Sequence, residues 1–381
     1  MANPGWLILR ALAVVSLCSL SGCGQTLPPV VFHAADQAPE QLSEWGVVLS
    51  DGDYFELNEG VLPYDLNTPL FTDYALKMRT VWMPGGEAAR YNADDEFDFP
   101  VGTIISKTFH YEKAAGWSPK DQTFLRTDRE SRLDEKGRLD LDQYALIETR
   151  LLVRYEDGWH AFPYVWNRDQ NEAWLEVAGD IRNLSLLDEA GRLDFVYIVP
   201  DANQCAGCHA PNHTAADIRP IGLKARHLNR SYNYGQIEAN QIEHWETTGV
   251  LTNVGADLPA NARWSDSVGA TIEERARAYL DINCAHCHNS KGAADTSGLH
   301  LNVEAPLDRN FGICKSPTAV GQGSGDRKYD IYPGKPEESI LIYRMDHTDP
   351  AIAMPELGRS TVHAEGVLVI AEWIAGLDGG C

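Results

Sequence analysis

The sequence predicts a multi-domain protein in which a mostly antiparallel β N-terminal domain precedes an all-α C-terminal domain. Two patterns indicate this division. Between residues 42 and 200, apolar and polar residues alternate as they do on half-buried strands. After residue 269 the apolar residues recur at helical spacing. The chain has 381 residues, 44% of them apolar, which is enough for two or three packed domains.

The β-rich segment is predicted at residues 42–200. From Ile147 to Tyr155 apolar residues alternate with charged ones, and Asp157-Gly158 then turns the chain into a second such run, which predicts a hairpin. Gly191 lies in a second turn that leads into Phe195–Val199, a run suited to a buried strand. We therefore expect a sandwich or barrel that docks on, or covers, the rest of the molecule.

Three helices are predicted in residues 269–381. Thr271 and Glu274 form a capping box for a helix that runs into Cys284. Pro336 suits the first turn of a second helix, which continues to about Met345. Apolar residues at helical spacing from 367 to 374 predict a third helix, which Gly376 or Gly379 ends.

Two Cys-x-x-Cys-His strings carry the strongest chemical signal. Cys205-Ala-Gly-Cys208-His209 and Cys284-Ala-His-Cys287-His288 begin 79 residues apart in a chain with eight cysteines. Thiols three positions apart reach the two vinyl groups of one porphyrin edge, and the imidazole that follows reaches the iron. The pattern predicts two covalently bound c-type haems, with His209 and His288 as iron ligands.

Zinc is the competing interpretation, because paired Cys-x-x-Cys units also build tetrahedral sites. A zinc ribbon usually spaces its pairs more closely, and it does not need a histidine directly after both pairs. Residues 201–268 are therefore assigned as the first haem-binding segment.

Met354 is predicted as the sixth ligand of the second haem. It lies in an irregular Ala353-Met354-Pro355 loop, 66 residues after His288. Met345 is the alternative, but it follows Leu341 by four residues on a predicted helix and is assigned to packing. Helix, haem motif, helix, methionine loop and helix follow one another as in a small cytochrome c. Residues 269–381 are therefore predicted to be cytochrome c-like.

The sixth ligand of the first haem stays open. No methionine lies between His209 and Cys284, so a local methionine ligand is excluded. The position is either vacant or filled by His244, His227, His213, Met83 or Met78. His244 and His227 rank slightly ahead of His213. The two methionines can reach this haem only if the β-rich segment folds over it.

Residues 1–22 are predicted to be a lipoprotein signal peptide. Arg10 precedes an apolar stretch, and Leu20-Ser21-Gly22-Cys23 resembles the lipobox, in which the signal is cut before a cysteine that becomes acylated. Cys18 is a poorer site because Leu17 is bulky. A transmembrane anchor is the alternative, but the apolar run is shorter than the roughly 18 residues that a span needs.

The mature chain is thus expected to start at Cys23 and to continue as a flexible tether over residues 23–41. Lipid would hold it on the periplasmic side of a bacterial membrane, where c-type haem is attached. Gly24 after the acylated cysteine favours the outer membrane by analogy with enteric sorting.

Two cysteines are left after lipid and haem are assigned. In an oxidising compartment Cys314 and Cys381 are predicted to form a disulfide that pins the C-terminal residue to the loop after the second motif. Two free thiols are the alternative.

The acidic surplus restricts the partners. With 32 Lys plus Arg against 55 Asp plus Glu, the net charge is -23. This argues against nucleic acid as a partner and against electrostatic binding to anionic lipid. It is compatible with a basic redox partner.

The stretch from Asn283 to Ile374 resembles a family of uncharacterised bacterial dihaem c-type cytochromes. The similarity is carried by the motif at 284–288, by Cys314-Lys315-Ser316-Pro317 and by the Met354–Arg359 segment. Segments at 63–71, 99–103 and 163–167 are similar to the N-terminal domain of that family. The resemblance implies two covalent haems, Met354 as an axial ligand and a role in electron transfer. The C-terminal part alone also resembles haem domains attached to quinoprotein dehydrogenases.

The leading function is therefore an electron relay between periplasmic redox proteins. The alternatives are a dihaem peroxidase-type enzyme with an open first iron, and an electron-accepting subunit of a quinoprotein dehydrogenase. A third class, an interaction module in which the β-rich part binds a partner and the haems are auxiliary, also remains. No distal acid or base is evident beside the first motif, so electron transfer is favoured over catalysis.

Overall fold

The computed structural model describes residues 1, 27–127, 130–131, 133–210, 212, 217–318 and 320–381. The predicted signal peptide, Cys23 and His213 lie outside these residues.

Sixteen strands and six α-helices lie in the described part of the chain. The strands are β1 Val48–Ser50, β2 Tyr54–Leu57, β3 Leu62–Tyr64, β4 Leu76–Trp82, β5 Ala89–Arg90, β6 Ile104–Lys113, β7 Thr123–Leu125, β8 Leu139–Asp140, β9 Tyr144–Tyr155, β10 Gly158–Trp166, β11 Ala173–Leu175, β12 Asp180–Asp188, β13 Gly191–Val199, β14 Ser231–Asn233, β15 Glu238–Asn240 and β16 Leu251–Thr252. The helices are α1 Ala202–His209, α2 Ala225–Leu228, α3 Gln241–Thr247, α4 Ile272–Asn283, α5 Ile340–Met345 and α6 Ala364–Ala375.

A curled nine-stranded sheet dominates the molecule. Its main path runs β11-β10-β9-β6-β7-β12-β13, with β4 pairing beside β6 and β3 pairing beside β4. These pairs are antiparallel except β7 with β12. The long central strands β6 and β9 therefore present one continuous face, on which residues from three or four strands lie side by side.

The hairpin predicted from the alternation at 147–155 is confirmed. Tyr155 pairs with Gly158, and the register continues to Glu148 opposite Val165. The second predicted turn joins β12 to β13, where Asp188 pairs with Gly191. The buried strand expected at 195–199 is half-exposed instead, because only one face of β13 meets the core, and Ile198 is 51% exposed.

The predicted all-α C-terminal domain is wrong. In the described part of residues 269–381, α4, α5 and α6 have 12, 6 and 12 residues, and short 3₁₀ helices, turns and irregular chain form the rest. The molecule as a whole is mostly β. A physical reason lies between 298 and 334, where a left-handed backbone that no right-handed helix can continue through recurs at Gly298, Gly312, Gly321, Gly325 and Gly334.

The individual helix predictions fare differently. The capping box of Thr271 and Glu274 opens α4 as expected. The helix expected from Pro336 to Met345 is split into a 3₁₀ turn and α5, because Ser339 has an extended backbone with φ -92° and ψ 129°. The third predicted helix, α6, ends before Gly376.

One buried cluster joins the sheet to the segment that carries the first motif. It combines residues of β3, β4 and β6 with Leu223, Ile242 and Trp245, and it reaches Ile282 at the end of α4. A separate cluster packs α4 on α6 and includes Met345, which confirms the assignment of Met345 to the core. Another cluster inside the sheet also receives Val30, Ala35 and Ala38 from the predicted tether. Helix α1 packs against β10, so the first motif lies over the sheet.

Candidate functional site

The first motif lies on a short, well-capped helix. The Asp201 carboxylate accepts hydrogen bonds from the main-chain N–H groups of Asn203 and Gln204 at 2.8 and 2.9 Å, which satisfies donors at the start of α1. Cys205, Cys208 and His209 all line a single cavity. The two thiols and the imidazole of the motif therefore face the same space.

This cavity, about 130 Å³ in volume, has mainly apolar walls. Strands β6, β9 and β10 form one side, and Pro355, Leu357 and Gly358 close it from the loop after Met354. Its apolar lining includes Leu66, Leu70, Ile105, Leu151, Leu152, Phe162 and Ile221. Two thiols three positions apart, an adjacent imidazole and an apolar enclosure together fit the requirements of a covalently attached porphyrin.

The tautomer of His209 is fixed by the main chain. Its Nδ1 lies 2.7 Å from the carbonyl oxygen of Arg219, which can only accept, so Nδ1 carries the hydrogen. Burial, with a smaller effect of Lys107, lowers the pKa of His209 to about 4. The ring is neutral near pH 7, and Nε2 keeps a lone pair that can bind a metal.

The histidine of the second motif, which follows α4, is held in the same way as His209. Nδ1 of His288 lies 3.0 Å from Oγ of Ser297, whose own hydroxyl donates to the carbonyl oxygen of Ala294 at 2.6 Å. Oγ must therefore accept from His288, and Nε2 of His288 is again the free nitrogen. Burial lowers the pKa of His288 to about 4 as well.

The two motifs touch each other although they lie 79 residues apart. The Cys287 thiol donates to the carbonyl oxygen of Gly207 at 3.5 Å. Interactions with the Cys287 thiol and with the His286 ring lower the pKa of Cys208. The structure thus brings the predicted attachment residues together in one site.

A basic row crosses the sheet beneath the first motif. Arg79 on β4, Lys107 on β6 and Arg150 on β9 lie directly opposite one another, and all three line the cavity. Arg79 pairs with Asp65 at 2.5 Å and Arg150 with Glu148 at 2.6 Å. Like charges placed directly across strands destabilise a sheet, so this row suits a cavity that receives acidic groups such as carboxylates.

The surroundings of Lys107, the middle residue of the basic row, disfavour its charged form. Burial first, and then the neighbouring Arg150 and Arg79, lower the pKa of Lys107 to about 7. Its ammonium group lies 5.3 Å from the centre of the Phe109 ring. This row was not predictable from the sequence, because the three residues come from separate strands whose register cannot be read from the chain.

Met354 is held through its main chain. Its N–H donates to the carbonyl oxygen of Arg344 at 3.0 Å, and its own carbonyl oxygen accepts from the Arg359 guanidinium at 2.7 Å. These bonds fix the loop between the first cavity and α5. Ligation of iron by Met354 stays a prediction.

Four of the five candidates for the sixth ligand of the first haem are engaged elsewhere. His227 is buried with its Nε2 3.6 Å from Asp281, and the His244 ring centre lies 4.1 Å from that of Tyr234. Met78 belongs to a core cluster of the sheet, and Met83 packs against another. Among the described residues that line the cavity, the histidines are His209 and His286, and sequence reasoning did not consider His286.

A larger cavity of about 860 Å³ adjoins the first one. The two share the wall residues Tyr64, Leu66, Leu70, Thr72 and Arg79. Its wall also includes Lys77 and the stacked rings of Phe71 and His363.

The two described cysteines outside the motifs, Cys314 and Cys381, form a disulfide. Within the described ranges, no helix is long and apolar enough to cross a membrane. In the same residues, no group of three or more His, Cys, Asp or Glu side chains is arranged to hold a bare metal ion.

The chain was compared with protein-family models, curated proteins and solved structures, and none of them matches it.

Proposed function

We propose that this protein transfers electrons through two covalently attached c-type haems. The first would be held by Cys205, Cys208 and His209, and the second by Cys284, Cys287 and His288. Order within each motif supports haem over zinc, because each thiol pair is followed at once by a histidine whose Nδ1 is already hydrogen-bonded.

The contact between the motifs is the observation that carries the proposal. Cys287 of the second motif contacts Gly207 of the first, and His286 lines the same cavity as Cys208. Groups attached to these residues would be neighbours, and an electron could pass between them without a mobile carrier. A bound haem supplies reversible one-electron chemistry at its iron.

The chain itself provides the environment of that chemistry. Apolar residues of β6, β9 and β10 line the cavity of the first motif, and the carbonyl of Arg219 and the hydroxyl of Ser297 orient the two imidazoles. The basic row offers positive charge to the carboxylates that every haem carries. Thioether ligation by Met354 would raise the potential of the second haem.

The place of this relay in the cell belongs to the same proposal. Acylation at Cys23 would tether the protein to the periplasmic side of a bacterial membrane, the outer one by preference, where redox proteins are its partners. The resemblance to bacterial dihaem c-type cytochromes supports this placement. The electron donor would be a periplasmic dehydrogenase or a quinol-linked protein. The acceptor would be another redox protein.

Haem counting tests the attachment. The full chain is expressed with a c-type haem maturation system and weighed after denaturation and extraction with acidic acetone. We expect the mass of two haems in the unaltered protein and of one haem in each of the double variants C205S/C208S and C284S/C287S. The C314S/C381S variant, which removes the same number of cysteines, should keep both haems.

Spectroscopy then separates a relay from an enzyme. Two low-spin ferric irons without peroxide turnover are the expected result. A polypeptide that loses its colour on extraction would contradict attachment, and a high-spin iron that turns over peroxide would contradict the relay.

A further inference from the structure

His209 would supply one nitrogen ligand to a haem in the cavity of the first motif, and a low-spin iron there would need a second ligand. In the described part of the cavity wall there is no methionine, and three side chains carry nitrogen atoms of a kind that binds iron: His209, Lys107 and His286. His286 has no role in the attachment motif to which it belongs.

We propose that His286, from within the second motif, is the sixth ligand of the haem at Cys205, Cys208 and His209. This inference rests on the proposed function and deepens it. The second motif would then hold its own haem through three residues and complete the first haem through a fourth.

The local backbone points His286 away from its own haem. The N–H groups of Cys287 and His288 both donate to the carbonyl oxygen of Cys284, at 3.1 and 2.9 Å, so these residues form one helical turn. At about 100° per residue, positions 284, 287 and 288 share one side, and position 286 lies roughly opposite. Cys284 accordingly packs against the cluster of α4 and α6, whereas His286 lines the cavity of the first motif.

The ring of His286 is also prepared as a ligand. Its Nδ1 is 3.2 Å from the carbonyl oxygen of Ile282, which can only accept, so Nδ1 carries the hydrogen and Nε2 keeps the lone pair. This is the arrangement found at His209 and His288, and main-chain or hydroxyl acceptors of this kind are typical of metal-binding histidines.

The competing ligands are less well placed or belong to other structures. Lys107 lies in the basic row with two arginines, where its charge can serve carboxylates. His227 is committed to Asp281, and His244 stacks on Tyr234. His213 lies outside the described residues, and the H213A variant tests it as a ligand.

Ligation by His286 gives the relay a direction. A haem with two histidine ligands has a lower potential than one with histidine and methionine, since the thioether favours reduced iron. Electrons would therefore enter at the first motif and leave through the second.

The test replaces His286 in the full chain and reads the iron spin states. In H286A we expect one of the two ferric haems to become high-spin while the other stays low-spin, with two haems still found by mass. Added imidazole should restore the low-spin signal. H244A, which changes a histidine of the first haem-binding segment that stacks on Tyr234, should leave both haems low-spin.

Rival ligands are separated with matched variants. If H286A keeps two low-spin haems, or if K107M or H213A produces the high-spin signal instead, the assignment is overturned. Should H286A fail to accumulate, H286M decides the question: a new thioether ligand should raise one potential by at least a tenfold change in the oxidised-to-reduced ratio, about 59 mV, and an unchanged potential would refute ligation. A protein without covalent haem in any variant contradicts the proposed function rather than this ligand.

Discussion

At the scale of single residues, the acceptor beside each Nδ1 decides which histidine nitrogen can reach a metal. His209, His286 and His288 each place Nδ1 against a carbonyl or hydroxyl oxygen at 2.7, 3.2 and 3.0 Å. Because these acceptors are fixed by the chain, the free Nε2 atoms are oriented before any ligand arrives. Changes in the acceptor should therefore alter the iron without altering the ligand.

Ser297→Ala removes the acceptor of His288. Donation from Nδ1–H makes the imidazole a stronger electron donor and favours ferric iron, so its loss should raise the potential of the second haem. The expected change is at most about tenfold in the oxidised-to-reduced ratio, or roughly 59 mV. Redox titration measures it, and Ser324→Ala serves as control, because the Ser324 hydroxyl donates to the carbonyl oxygen of Gly321. A lowered potential would show that this hydrogen bond has another role.

Met354→Ala tests the predicted thioether ligand. Loss of the sulfur should abolish the weak absorption band near the red edge of the visible spectrum that ferric iron shows with a methionine ligand, and should lower the potential of the second haem. Met345→Leu changes the other methionine of this region, which is buried in the core, and should leave the band in place. Persistence of the band in Met354→Ala would exclude Met354 as the ligand.

At the scale of elements, α4 connects the two motifs. Its last turn delivers Cys284, and Asp281 on the same helix binds Arg226 of α2 at 2.8 Å and the Asn261 side chain at 2.8 Å. This buried network fixes the segment that follows the first motif against the helix that carries the second. The contact between motifs therefore depends on α4 as much as on the motif residues.

Asp281→Ala should break this connection. Removal of one partner of a buried ion pair leaves an uncompensated charge on Arg226, and such changes cost about 3–5 kcal/mol in the free energy of unfolding. Denaturant unfolding at pH 7 measures the loss. Glu338→Ala, in the exposed pair with Lys335, should cost about 0–1 kcal/mol.

The pH dependence of this pair has a definite sign. Despite burial, hydrogen bonds and charge from Arg226, His227 and Asn261 hold the pKa of Asp281 below its ordinary value of 3.8. The stabilisation is fully present above pH 3.8 and is lost as the pH falls through the lower pKa of the folded state. The difference in the free energy of unfolding between Asp281→Ala and the unaltered protein should thus shrink only in strong acid. A difference that already shrinks as much between pH 7 and 5 would contradict the assignment.

The disulfide acts on the C-terminal element. It joins residues 67 positions apart and ties the chain end after α6 to the loop at Cys314. Closing a loop of that length should stabilise the fold by about 4 kcal/mol in the chain-entropy model. We expect C314S/C381S to lose up to that amount in denaturant unfolding, while reductant brings the unaltered protein to the same value. An unchanged midpoint would mean that the bridge constrains nothing in the unfolded chain.

Elements were predictable where the signal is local. The capping box at Thr271, the hairpin at 155–158 and the glycine that ends α6 each depend on neighbouring residues. The all-α expectation failed because the three predicted helices leave the long segment between Cys284 and Pro336 uncovered, and repeated left-handed glycines such as Gly312 and Gly325 prevent helix formation there.

At the scale of the whole molecule, the site is composed from distant parts of the chain. Cys205, Cys208, Cys284 and Cys287 could be proposed from the sequence, since the pattern expected for covalent haem attachment lies within five residues. The basic row and the cavity wall were not predictable, because they depend on the register of β4, β6 and β9 and on a loop near residue 355 folding back over the first motif. His286 escaped notice for the same reason, as only the fold shows which motif it faces.

The net charge of -23 leads to a prediction about redox partners. A strongly acidic protein attracts a basic redox partner over distances comparable with the Debye length, about 10 Å at 0.1 M salt. Stopped-flow oxidation of the reduced protein by a small basic cytochrome should therefore slow steeply, by at least tenfold, between about 10 and 200 mM salt. An acidic acceptor of similar potential is the control, and its rate should rise with salt, since screening relieves repulsion. Rates that do not depend on salt for either acceptor would mean that electrons leave through a locally neutral surface, which the net charge does not describe.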